Sequence, residues 1–151
     1  MSSYYEFTGE TIRVGDATLH RIRAVTDLPR HGVRAGDVGG WIAGTANLFG
    51  GAWVFGDARV SGDAQVHDQQ DVLTVGPIGS ESVTTTLFRT AAGHTLHVGC
   101  WDGHVDDLAA EVERRSAHWG ADPATADRWR AEYTALETLC RVRITGWAAV
   151  Q

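Results

Sequence analysis

A short left-handed parallel β-helix is the fold class this sequence predicts, and three observations predict it. From Trp41 to Val75 apolar residues recur every sixth position: Ile42, Leu48, Val54, Val60, Val66 and Val72. Four residues after each of the first four comes a small one, Ala46, Ala52, Ala58 and Ala64, and Gly44, Gly50, Gly56 and Gly62 lie between. Val54-Phe-Gly-Asp-Ala-Arg and Val60-Ser-Gly-Asp-Ala-Gln are nearly one hexad written twice. A fixed short period marks a solenoid.

Each element follows from its residues. The branched apolar residue points inward, alanine fills the cramped corner, and Gly-Asp supplies the turn. Three hexads, about 18 residues, make one triangular coil, which stacks Ile42 on Val60, Leu48 on Val66 and Val54 on Val72. The array is short, so flanking structure must close both ends. The register decays at Val66-His-Asp-Gln-Gln-Asp, where Gln70 stands in for the corner alanine. A right-handed solenoid, or a run of antiparallel hairpins with Gly-Asp turns, are the alternatives.

The chain divides into residues 1–40, an N-terminal β-hairpin and loop; 41–75, the hexapeptide β-helix; and 76–151, an α+β cap with two helices. Thr11–Val14 and Thr18–Val25 read as hairpin strands around a Gly15-Asp16 turn. Residues 26–40, punctuated by Pro and Gly, read as an ordered loop. Val83–Arg89 and His94–Val98 read as strands. Gly103–Trp119 reads as a helix with Val105, Leu108 and Val112 on one face. Asp122 and Pro123 open a second helix that presents Ala126, Trp129, Tyr133, Leu136 and Cys140. Val142–Ile144 suggests a last strand. Trp41, Phe49, Trp53 and Phe55 fall at outward positions. A covered aromatic row implies flanking elements or a second copy, and a homo-oligomer, foremost a trimer, is expected.

Composition narrows the function. The chain is 43% hydrophobic and 21% charged, which is globular rather than disordered. A net charge of −6 argues against binding nucleic acid through a basic surface. All 13 basic residues are arginine, in keeping with a GC-rich coding sequence. The N-terminus has neither a basic n-region nor an apolar h-region, and no apolar run approaches a membrane span. Cys100 and Cys140 form no CxxC pair. The expectation is a cytoplasmic protein with reduced thiols and no membrane contact.

Some residues invite chemistry. Arg30, His31 and Arg34 sit in a Gly/Pro-rich loop before Trp41: guanidinium forks hold phosphate, and an indole stacks on a base. Gly76-Pro-Ile-Gly-Ser80 is a candidate backbone nest for an anion, although it lacks a P-loop ending. Ser80 and Arg89 complete the candidate ligand-binding set. Cys100 and His104 are spaced as a nucleophile and its base, with burial of the thiol as the plain alternative. His94, His97 and His104 do not make a metal site, because His94 and His97 fall on opposite faces of a strand. No metal and no cofactor are expected.

Arg21-Ile-Arg-Ala-Val25, then Asp27-Leu-Pro-Arg-His-Gly-Val-Arg-Ala-Gly-Asp-Val-Gly-Gly-Trp41, then the Gly-Asp-Ala hexads, resemble phage and prophage hexapeptide-repeat ("polymer-forming") proteins. Leu73-Thr-Val-Gly-Pro-Ile-Gly-Ser80 and Gly99-Cys-Trp-Asp-Gly-His-Val-Asp-Asp-Leu108 resemble the cap of the same proteins. Glu81 stands where that pattern has an arginine, which weakens a phosphate-binding reading of the loop. The resemblance implies a phage accessory protein in the host cytoplasm and no particular activity. Two classes of function follow. One is a non-enzymatic binder that sequesters a small nucleotide-like signal of host defence, with a structural or assembly solenoid as its variant. The other is an enzyme, either a hexapeptide acyltransferase using His67 or a hydrolase built on Cys100.

Overall fold

The computed structural model describes residues 4–149. Strands β1 (Tyr5–Val14), β2 (Ala17–Ala24), β3 (Val38–Ile42) and β4 (Arg59–Val60) form one sheet in that order. Strands β5 (Val72–Ile78), β6 (Val83–Thr90), β7 (Gly93–Val98) and β8 (Trp101–Gly103) form a second. Helices α1 (Leu108–Ser116) and α2 (Pro123–Ala149) follow.

This architecture corrects the expected fold class. The chain is two four-stranded sheets with C-terminal helices, not a parallel β-helix of either hand. The 18-residue spacing appears only locally, as a parallel pairing of β3 with β4 (Trp41↔Arg59, Ile42↔Val60) and a parallel bridge Leu48↔Val66. Val54 does not stack on Val72, because Val72 pairs antiparallel with Phe88 of β6. The other side of β3 is taken by β2, also antiparallel. Where a further coil would pair with Trp53, a side chain does so instead. Gln69 Oε1 accepts from the Trp53 N–H at 2.7 Å, and Gln69 Nε2 donates to the Trp53 carbonyl at 2.8 Å. That clamp satisfies the main chain and ends parallel pairing there.

The hexad residues nonetheless form a core. Ile42, Leu48, Val54, Val60, Val66 and Val72 are buried together with Ala52, Ala58 and Ala64, and with Tyr5, Ile22 and Phe88 from the flanking strands. Ala46 is exposed; the buried residue at that corner is Asn47. Its amide donates to the Gly62 and Ala64 carbonyls at 3.2 and 3.1 Å and accepts from the Gly44 N–H at 3.0 Å. Burying such a group is favourable only because each polar atom is paired. Of the outward aromatics, Trp41 and Trp53 are buried, while Phe49 and Phe55 are exposed.

The hairpin β1–β2 turns at Gly15, whose φ of 60° suits glycine. The second sheet separates two cores. Leu87, Leu96 and Val98 face the helices and pack with Leu108, Val112, Leu136 and Cys140. The opposite face, with Phe88, covers the hexad core. The first helix begins at Leu108, after a 3-10 turn over Val105–Asp107, because Trp101–Gly103 is drawn out as an edge strand on β7. Val142–Ile144 is helical, not a strand: α2 runs on to Ala149. Trp147 Nε1 and Arg143 Nη1 each donate to the Gln70 carbonyl at 2.9 Å, which ties the end of α2 to the start of β5.

Candidate functional site

The cleft at the α1–α2 corner brings the most chemistry together. The last turn of α1 supplies Arg114 and Arg115. The connection to α2 supplies His118 and Trp119, and α2 itself supplies Trp129. Ser80 and Glu81 enter from the β5–β6 loop and Cys100 from the β7–β8 turn, around a volume of about 530 Å³. Trp119 and Trp129 meet edge to face, 5.3 Å between centroids at 78°, and Arg130 lies over the Trp119 ring at 5.5 Å. Two half-buried indoles with a rim of guanidinium, imidazole, hydroxyl and thiol are the ingredients of a small-molecule pocket.

The β5–β6 loop is placed by α2. Tyr133 Oη accepts from the Ser80 N–H at 3.1 Å, and Glu132 Oε1 accepts from the Gly79 N–H at 2.7 Å. Gly79 has φ of 75°, and a Cβ there would fall 2.1 Å from Tyr133 Oη, so glycine is required. Arg115 is committed to structure: it donates to Glu111 and to Glu81 at 2.8 Å and to the Val98 carbonyl at 3.1 Å. Arg114, largely exposed, shares Glu111 and faces outward over the cleft. The Arg114 guanidinium holds the Glu111 carboxyl below its ordinary value.

The other candidate residues are dispersed. Arg30 and His31 line a separate cavity of about 540 Å³ with Asp27, Gly50, Asp68 and Gln69. His31 Nε2 pairs with the Gly51 carbonyl at 3.0 Å, and its ring meets Phe55 edge-on at 6.4 Å. Arg34 is not part of that lining. Trp41 sits under the Arg21 guanidinium at 5.0 Å, pairs in register with Arg59 and is not part of that lining either. Arg89 binds Asp71 at 3.4 Å and lies 5.9 Å from the Trp147 ring.

Cys100 and His104 have different neighbours. The thiol lines the indole cleft. The His104 ring lies 4.1 Å from His94, and its Nδ1 accepts from the Asp106 N–H at 3.2 Å. Among the described residues no hydrogen bond joins the two. Burial, then the neighbouring His104, lowers the pKa of His94, whose Nε2 accepts from the Val105 N–H at 3.1 Å. Among the described residues no group of three or more His, Cys, Asp or Glu side chains could hold a metal ion. No described helix is long and apolar enough to cross a membrane.

Sequence reasoning found Ser80 and Cys100 of this cleft but not its indoles. The available signal was Trp119 and Trp129 flanking the Gly120–Pro123 break, where a helix corner turns both rings to one side. Comparison of the chain with protein-family models, with curated proteins and with solved structures finds no match.

Proposed function

We propose that this chain is a non-enzymatic binding protein that holds a small nucleotide-like ligand in the cleft between Ser80, Cys100, Arg114 and the two indoles. The observation that carries the reading is the pairing of Trp119 with Trp129 in a cleft that Arg114 and His118 also line. Trp119 is already stacked on Tyr133 and covered by Arg130, so Trp129 is the indole offered to a flat heterocycle, and the Arg114 guanidinium and His118 imidazole offer donors to its polar substituents. The resemblance to phage hexapeptide-repeat proteins adds the role: sequestering a nucleotide signal of host defence. Exposed Phe49 and Phe55 support the homo-oligomer, foremost a trimer, in which a second copy covers them.

A second reading, a hydrolase built on Cys100, is favoured by one observation: the thiol shares this cleft with His118. Calorimetric titration with a panel of mono-, di- and cyclic nucleotides, followed by analysis of the recovered nucleotide, separates the two. A binder returns its ligand unchanged, loses about tenfold or more in affinity in Trp129→Ala, since ring stacking is worth about 1–3 kcal/mol, and keeps its affinity in Cys100→Ala. Turnover that disappears in Cys100→Ala supports the hydrolase. No binding of any nucleotide at millimolar concentration overturns both.

A further inference from the structure

Helix α2 is apolar on two sides. Its inner side buries Tyr133, Leu136, Cys140 and Trp147 against the second sheet and α1. Its outer side carries Ala131, Ala135, Thr138, Leu139, Val142 and Gly146, three or four residues apart and therefore on one stripe. All six are exposed, Leu139 at 43% and Val142 at 67%. The stripe runs about 22 Å without a charged side chain. The solvent side of a surface helix is ordinarily polar and charged, and a helix that is apolar all round is a covered one.

Gly146 points to what covers it. It lies inside α2, where glycine is less stable than alanine because it loses more backbone freedom on folding. A Cβ at this position would meet nothing within 4 Å, so no described neighbour in the chain requires the bare backbone. A second helix lying along the stripe does require it, because helix axes come within about 8 Å only where the side chains at the contact are small.

We propose that the outer stripe of α2 is a two-fold interface, on which the same helix of a second copy of this chain packs antiparallel. The stripe is self-complementary. Ala131 and Gly146, Ala135 and Val142, and Thr138 and Leu139 lie at equal distances on either side of a point between Thr138 and Leu139. A two-fold axis there sets each Ala135 against the partner's Val142 and each Ala131 against the partner's Gly146, the reciprocal contact that such symmetry requires. Charge agrees. Glu132 and Arg143 sit about three turns apart on one flank of the stripe, and neither makes an ion pair among the described residues. Glu132 uses Oε1 on the Gly79 N–H, and Arg143 uses Nη1 on the Gln70 and Val72 carbonyls, which leaves the other carboxylate oxygen and the other guanidinium nitrogens free. The same axis brings each Glu132 within a turn of the partner's Arg143. A parallel copy would instead set like charge beside like. The stripe faces away from the second sheet, whose other face covers the hexad core. This contact is therefore separate from one through Phe49 and Phe55: alone it makes a dimer, and on a larger assembly it doubles the number of copies.

Sedimentation velocity of the full chain from about 1 to 200 µM, with disulfide trapping, tests it. The parent is expected to associate into an even number of copies. Gly146→Leu has room within the single chain and is the better helix former. It should weaken the association about tenfold or more and leave the urea midpoint of the dilute chain no lower than the parent's. In a Cys100→Ala background, Leu139→Cys, beside the axis, should form a disulfide between copies under mild oxidation. Ala124→Cys, on the same face but about 43 Å from its symmetry mate, should not. A parent that stays monomeric throughout, or one whose assembly is unchanged by Gly146→Leu, would overturn the inference; an unchanged trimer would leave the aromatic contact standing alone. Trapping of Ala124→Cys as readily as Leu139→Cys would overturn the antiparallel arrangement.

Discussion

The indole of Trp53 lies so close to Gly39 that a Cβ on residue 39 would come within 2.6 Å of its ring and 2.7 Å of the Val54 carbonyl. The glycine near the start of β3 thus lets a fully buried tryptophan slide under the first sheet. Gly39→Ala is expected to destabilise the fold by about 1–3 kcal/mol, the range for overpacking a filled core. Gly44→Ala, with open space around the added Cβ and extended φ of −172°, should change stability by no more than about 0.5 kcal/mol. Urea unfolding of the two variants checks the contrast.

Asn47 joins one hexad turn to the next. Asn47→Leu removes its donors from the Gly62 and Ala64 carbonyls and its acceptor from the Gly44 N–H. Leaving buried main-chain groups unpaired is expected to cost about 2–4 kcal/mol, more than loss of a typical surface contact. Thermal and urea unfolding read this directly; a stability equal to that of the parent would mean that water replaces the amide.

The pH dependence should carry a signature of His94. Its folded pKa is lowered from the ordinary 6.5, so the unfolded chain binds the proton more readily and acid favours unfolding. Protonation also turns Nε2 from an acceptor into a donor facing the Val105 N–H. Stability contributed by neutral His94 is therefore present above pH 6.5 and is lost as pH falls through and below it, until the folded value is passed. His94→Gln, which retains an acceptor, should flatten the fall in unfolding free energy between pH 7.5 and pH 5. An unchanged slope would exclude His94 as its source.

The two thiols should differ sharply. Cys100 is exposed, whereas burial pushes the Cys140 thiol up to about 11. Since thiolate is the reactive form, Ellman's reagent should label one thiol per chain in the native protein and two in denaturant. Cys100→Ala should abolish the native reaction, and Cys140→Ala should not.

By itself the sequence determined that the branched apolar residue of every hexad is inside. The six-residue period from Ile42 to Val72 marks a set of side chains that are all buried, the Gly15-Asp16 turn closes the first hairpin, and Pro123 opens the second helix. It did not determine how those residues pair. A period of six places side chains on a buried face whichever strand lies alongside, so it could not reveal that β2 would occupy the flank of β3, that Gln69 would clamp Trp53, or that Val72 would join Phe88. The same limit applies to the candidate site. Ser80, Cys100, Arg114 and Trp129 come from four separate segments. Only tertiary packing, the second sheet against the hexad core on one side and the helices on the other, brought them to a common wall.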